Sequence, residues 1–364
     1  MPARKATPVD AHPDLCFVAE LPGENPPLFS ELQKLYGLAA ELFALQPWKL
    51  LDDSQLTLVK AVPGGELCYC CVMGALGEVY AMHAYIGPES YRLYCDIQAG
   101  RIAEPGEFFS RQRSVYVEFV PRRELERQDR ELLARLHHPQ GRGMLSPIFR
   151  ACRPGSYPWF VNAEEAQTLA QCIRATIEIC NAVSGGRGEK FWKRDGVLPL
   201  VIEEQKDAPQ YRIDLVKAEL PDEPPLPPAQ ASQEKLAQLR SRDYPVRGVL
   251  ELDHILSGAP IGKKNERKSC ASFALAVDAK SGIVYAPNAT DSRVPPGDSL
   301  ASVFIDAVQV SRAFPQEVRV RTQRLSNCLA PFLESFGVAV RVSPRLPAAD
   351  EARAHLLSFL SGGR

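Results

Sequence analysis

Apolar residues recur at every third or fourth position from Leu28 through Leu32, Leu35, Leu38 and Leu42 to Leu45, which predicts a helix over 27–45, capped at Asn25 or Ser30 and ended before Pro47. The pattern then changes. Leu56 to Val62 and Glu66 to Met73 flank Pro63-Gly64-Gly65 and read as a hairpin, and Val79 to Ile86 continues as a third strand. A helix at 88–96 and a strand at 114–120 follow. In the charged run Arg122 to Leu136, the residues Leu125, Leu132, Leu133 and Leu136 fall on one helical side. Its remaining charges form a solvated face. Asn162 with Glu165 three residues on has capping-box spacing, and Ala166, Leu169, Ala170, Ile173, Ile177 and Cys180 make the buried stripe of the helix it opens. Strands at 198–203 and 211–217 complete this half.

Five prolines between Leu220 and Ala231 preclude both a helix interior and a central strand, so this stretch is a linker of polyproline character. It divides the chain into an N-terminal extension (1–27), an α+β domain (28–220), the linker (221–231) and an α/β domain (232–364). Beyond it the pattern gives a short helix at 233–239, a strand at 247–255 and a hairpin from Ser272 to Asp278 and Ile283 to Ala286, turned at Gly282. Helices at 299–314, 325–336 and 348–360 then alternate with strands at 317–321 and 338–342. The fold class expected is α+β, two mixed α/β modules, the second a mixed, largely parallel sheet flanked by helices.

The composition, 45% hydrophobic and 24% charged over 364 residues, is that of a globular protein large enough for two cores. No stretch has the apolar length of a membrane span, and residues 1–14 lack the apolar segment of a secretory signal, so no membrane partner is expected and the cytoplasm is the expected location. Cys68 and Cys70 share one face of a strand and Cys71 the other. No second pair stands at zinc-ligand spacing, so these read as reduced core residues. From Ser232 onward 18 Lys+Arg stand against 13 Asp+Glu, while 25 stand against 31 before it. The two halves could attract each other, or the basic half could face an anionic partner.

Two sets of segments carry a resemblance. Trp48 to Asp53, Cys70 to Glu78, Tyr80, Tyr85 to Gly87 and Arg153 to Trp159 resemble a group of bacterial proteins whose domains have no assigned function. Ala276 to Gly282 and Phe314 to Val320 are similar to the second domain of the same group. The resemblance implies two modules and a bacterial origin, and it brings no activity with it. The order of elements after the linker also resembles a degenerate ribonuclease H-like sheet. Nucleases of that kind hold two metal ions with carboxylates on the first strand, on a following element and on the last helix.

Asp278, Asp253, Asp350 and Glu351 are the acids nearest to such positions, with Asp278 and Asp350 the pair a Mg²⁺-dependent nuclease would use. The plain alternatives are a turn residue for Asp278 and helix-dipole residues for Asp350 and Glu351. After the strand at 317–321, Gln323 and Arg324 stand where the middle acid belongs, and a guanidinium there repels a divalent cation. The expectation is therefore a non-enzymatic binding or accessory protein without a cofactor. Its partner is an unknown protein or nucleic acid; the alternative is the Mg²⁺ nuclease. Arg319, Arg321, Arg324, Arg341 and Arg345 suit phosphate or carboxylate recognition, or else face solvent or the acidic half. Trp48, Tyr157, Trp159 and Phe160 either line a groove or plug the side of a core. His137 and His138 read as surface residues, and no phosphate loop or nucleophile elbow occurs.

Overall fold

The computed structural model describes residues 24–60, 65–102, 105–138, 141, 143–194, 196–204, 210–263 and 265–362. Most of the N-terminal extension lies outside them. The first module is built on an eight-stranded sheet. Its strands are β1 (Thr57–Lys60), β2 (Leu67–Met73), β3 (Ala81–Ile86), β4 (Ser114–Pro121), β5 (Leu145–Cys152), β6 (Trp159–Phe160), β7 (Val197–Glu204) and β8 (Gln210–Lys217). Their order is β6-β5-β4-β3-β2-β1-β7-β8, with only the β1–β7 pair parallel among them.

Two helices cover one face: α1 (Phe29–Leu45) and α5 (Ala163–Ser184) pack together over Val59, Cys68, Cys70, Val115 and Val117. Both expected helix starts are explained locally. The α1 entry uses the Glu31 carboxylate, which accepts from the Leu28 N–H at 2.8 Å, in place of Asn25 or Ser30. The α5 entry is the expected reciprocal box between Asn162 and Glu165, with both bonds 2.8 Å, worth about 1 kcal/mol. The other face is aromatic. Helix α2 (Gly87–Gln98) lays Tyr91 and Tyr94 over Tyr69, Cys71 and Tyr85, with Tyr69 and Tyr91 stacked at 4.2 Å.

Strand β5 is absent from the sequence expectation, since Pro147 and Arg150 both argue against a central strand. Arg150 is accommodated because α4 (Arg127–Arg135) delivers Asp129, whose two oxygens meet the guanidinium at 3.0 and 2.6 Å in a buried fork. The stretch before α4, expected to be helical from Arg122, is a separate 3₁₀ turn over Arg122–Glu124.

The second module is a five-stranded sheet of order β11-β10-β9-β12-β13, formed by β9 (Val249–Ile261), β10 (Ser269–Asp278), β11 (Val284–Asp291), β12 (Glu317–Val320) and β13 (Ala339–Val342). The β9, β10 and β11 segment is an antiparallel meander, and β12 and β13 run parallel to β9. The sheet is mixed, as expected, but with two antiparallel and two parallel strand pairs where mostly parallel pairing was expected, because β9 pairs antiparallel with β10 as well as parallel with β12. Alternation along β9 splits the core. Leu250 and Leu252 face α6 (Gln233–Arg240), α7 (Pro296–Ser311) and α8 (Gln323–Glu334), where Phe304 is fully buried. On the opposite face, Ile255, Leu275 and Val277 pack with Leu346 and with Ala349 of α9 (Pro347–Gly362).

The modules join through backbone. Gly155 to Tyr157 lies against the start of β10: the Cys270 N–H donates to the Gly155 oxygen at 3.0 Å and the Tyr157 N–H to the Lys268 oxygen at 2.8 Å. A Cβ on Gly155 would meet Arg293 and Ser292 atoms at 3.0 to 3.2 Å, and φ there is +75°, so glycine is required by both conformation and space. Helix α3 (Pro105–Arg111) wedges against β9 and β10 from the first module.

The proline linker has no helix or strand, as expected, but it is not a free tether. Arg324 on α8 bonds Glu223 and the Pro224 carbonyl, and the Cys328 thiol donates to the Pro227 oxygen at 2.9 Å. The Ala229 and Gln230 N–H groups donate to Cys328 O and Asp298 Oδ1 at 3.0 and 2.7 Å. The linker is a strap fastened over α7 and α8.

Candidate functional site

Strand alternation that sends Leu250 and Leu252 into one core puts Glu251 and Asp253 on the α9 side of the sheet, both only 1% exposed. Two buried carboxylates need partners. Glu251 accepts from the Ala349 N–H at 2.9 Å and so caps the start of α9. Asp253 is held by guanidinium groups. Arg321, the residue following β12, forks onto it with Nε to Oδ1 at 2.7 Å and Nη2 to Oδ2 at 2.8 Å. Arg353 of α9 adds Nη1 to Oδ2 at 3.2 Å. Arg321 Nη2 also reaches Asp350 Oδ1 at 2.7 Å. One guanidinium thereby bonds two carboxylates and ties β9, α9 and the end of β12 together. Hydrogen bonding to Asp253, ahead of the smaller contribution from Asp350, raises the Arg321 pKa further. Burial lowers that of Arg353.

Asp278, the other half of the expected metal pair, does not join this cluster. It lies three residues beyond Leu275, the cross-strand partner of Asp253, roughly 10 Å along the strand. It also alternates onto the face of Ala274 and Ala276, the α7 side. Asp278 is the turn residue the alternative reading gave: its Oδ1 accepts from the Lys280 N–H, the Ser281 N–H and the Ser281 hydroxyl at 3.1, 2.7 and 2.8 Å. Burial pushes its pKa up, but these bonds outweigh that and hold it below the usual range. Glu351 is exposed on α9 and has no polar partner among the described residues. The pairing of Asp278 with Asp350 is therefore corrected: they occupy opposite faces, and no group of three His, Cys, Asp or Glu among the described residues could hold a metal ion.

The arginine set divides likewise. Val318 and Val320 enter the core while Arg319 and Arg321 face α9, as the alternation predicts, and Arg341 stands beside Arg319 in register. Arg321 is consumed by Asp253 and Asp350, Arg324 by the strap, and Arg319 by Glu317 at 2.7 Å. Arg341 and Arg345 are exposed and bare among the described residues.

The aromatic residues do not form one groove. Trp48 packs with Phe43, Tyr80 and Phe119 at centroid distances of 5.5, 4.5 and 6.0 Å, plugging one end of the core. Tyr157 lies on Phe109 at 4.7 Å where the modules meet, and Trp159 sits on edge strand β6 with Phe160 at 5.6 Å. Cys68 and Cys70 face the α1/α5 core and Cys71 the tyrosine cluster, all three unbridged and buried. His137 is exposed, and His138 meets Tyr36 edge-on at 5.9 Å.

Two cavities accompany these features. One of about 360 Å³ lies beside β4 and the start of α5, and its guanidinium groups are already paired: Arg113 with Glu66 at 2.9 Å and Arg153 with Glu165 at 2.8 Å. The other, of about 280 Å³, contains Asp278.

Residues 33–197 match the family described as Domain of unknown function (DUF7309), and residues 235–357 the family described as Domain of unknown function (DUF6930). The chain thus carries two distinct domains of unknown function, separated at the strap. Strands β7 and β8 belong to the first sheet although they lie almost wholly beyond the first match. No curated protein matches the chain. Among the described residues no helix is long and apolar enough to cross a membrane.

Proposed function

We propose that this is a non-enzymatic binding or accessory protein of the bacterial cytoplasm, whose second domain is a ribonuclease H-like module with an internal ion pair in place of a metal site. The supporting topology is a meander of three strands whose first member is central, followed by two strands parallel to it. In this reading Asp253 on the central strand and Asp350 on the last helix are two corners of the former acid set. Arg321 fills the middle corner. The observation that carries the reading is the fork of Arg321 on Asp253: both carboxylate oxygens are already bonded to cationic groups, and a divalent ion would have to displace them against like charge. Arg341 and Arg345 leave the β13 edge basic, which favours an anionic partner surface.

The test is incubation of the full chain with Mg²⁺ or Mn²⁺ and labelled single-stranded DNA, duplex DNA, RNA or RNA–DNA hybrid. No cleavage is expected with any of them. Metal-dependent cleavage that disappears in Asp253→Asn would overturn the proposal.

A further inference from the structure

The 280 Å³ cavity lies at the end of the second sheet where β9 begins and β10 ends, away from the Asp253 cluster. Its walls include Leu250, Tyr285, Ala313 and Pro315, and its two charged members are Asp278 and Arg247. Neither charge is held in an ion pair among the described residues. Asp278 uses Oδ1 for three hydrogen bonds within its turn, whereas Oδ2 accepts none among the described residues. Oδ2 points beside Gly248, where a Cβ would lie 3.6 Å from it. Arg247 is anchored by its backbone, with the N–H donating to the Phe314 oxygen at 2.8 Å, but its guanidinium is exposed and has no ion-pair or hydrogen-bond partner among the described residues. The two side chains do not pair with each other although they line one cavity. Val246 and Val310, 62% and 63% exposed, flank it in sequence beside Arg247 and Ser311.

We infer that this cavity binds a small zwitterion of the α-amino-acid class with an aliphatic side chain, its ammonium on Asp278 Oδ2, its carboxylate on Arg247 and its side chain on the apolar wall. A simple anion would be repelled by Asp278, and a simple cation by Arg247. A neutral ligand would leave both charges unanswered. The volume, about 280 Å³, falls just below the ~300 Å³ at which drug-sized sites begin, which suits a molecule as small as an amino acid. The 360 Å³ cavity offers no comparable pair, since its arginines already hold carboxylates. The inference deepens the binding role proposed above without depending on the Asp253 ion pair: nuclease activity would refute that reading and leave this one standing.

The experiment is calorimetric titration of the full chain with L-valine, L-leucine and L-isoleucine, alongside isobutylamine and isovalerate, which each lack one charge. At least one amino acid should bind saturably with 1:1 stoichiometry, and each one-charge analogue about tenfold or more weaker, the loss of one charged hydrogen-bond pair. Asp278→Asn keeps the Oδ1 turn acceptor and should weaken binding by a similar factor, as should Arg247→Gln, an exposed position that does not bear on folding. The inference fails if no amino acid binds saturably, if the analogues bind as well as the amino acids, or if both variants bind like the parent.

Discussion

Replacing Arg321 with alanine removes a fork of 2.7 and 2.8 Å from a carboxylate that is 1% exposed, together with the 2.7 Å bond to Asp350. Breaking a buried pair from one side costs about 3–5 kcal/mol because the other charge is left in the interior. Two features pull the figure down. The Arg321 side chain is 22% exposed, so water can partly replace it, and Arg353 stays within 3.2 Å of Asp253. The expected loss is therefore about 2–3 kcal/mol, carried by the second domain. That location is testable because Trp48, Trp159 and Trp192 all precede the strap. Tryptophan fluorescence then reports the first domain and far-ultraviolet circular dichroism reports both. In urea, Arg321→Ala should bring forward the dichroism transition more than the fluorescence transition. Adding Asp253→Asn should recover part of the loss, since the stranded charge is gone. A shift under about 0.5 kcal/mol, or a double variant worse than the sum of the singles, would mean that Arg321 does not neutralise a buried Asp253 charge.

Two further outcomes follow from the same structure. His83, stacked on Tyr116 at 4.3 Å with an unbonded Nδ1, and His254, with an unbonded Nε2, are each held by burial at a pKa of about 4, below the ordinary 6.5. The unfolded chain binds these protons first, so their contribution is complete above pH 6.5 and is lost as pH falls towards 4. Between pH 7 and 5 this amounts to roughly 2 kcal/mol per histidine, opposed in part by Glu118, whose pKa burial raises. Urea midpoints should fall over that range and flatten in His83→Phe; a parent protein insensitive to pH would contradict it. For the strap, Arg324→Ala should speed hydrogen exchange at the Ala229 and Gln230 amides, which donate to Cys328 and Asp298, by about tenfold or more. Unchanged exchange would mean the strap is held without Arg324.

How far the sequence revealed this arrangement depends on the range of the interaction concerned. The Asn162 and Glu165 box, the Gly282 turn and the α5 stripe were legible because their causes lie within a few residues. Strand β5 was not, because Pro147 and Arg150 contradict a strand until Asp129, 21 residues earlier, neutralises the guanidinium. The alternation of Val318, Arg319, Val320 and Arg321 gave the correct faces, but the residues expected at the middle corner were Gln323 and Arg324, and Arg324 turns instead to the strap. The partner of Arg321 was not legible: Asp253 lies 68 residues away and meets it only when β12 pairs with β9. Arg353, whose contact requires α9 to cross the sheet, was missed altogether. Polyproline composition predicted an extended segment but carries no periodicity to say which surface it lies on. Trp48, Tyr157 and Trp159 resembled a group only while the sheet order that separates them was unknown.

A guanidinium stands between Asp253 and Asp350, bonded to both. Crystals grown in MnCl₂ and measured at the manganese absorption edge should show no anomalous peak at Asp253 and the Arg321 fork intact in density. A manganese ion coordinated by Asp253 and Asp350, with Arg321 turned away, would contradict it.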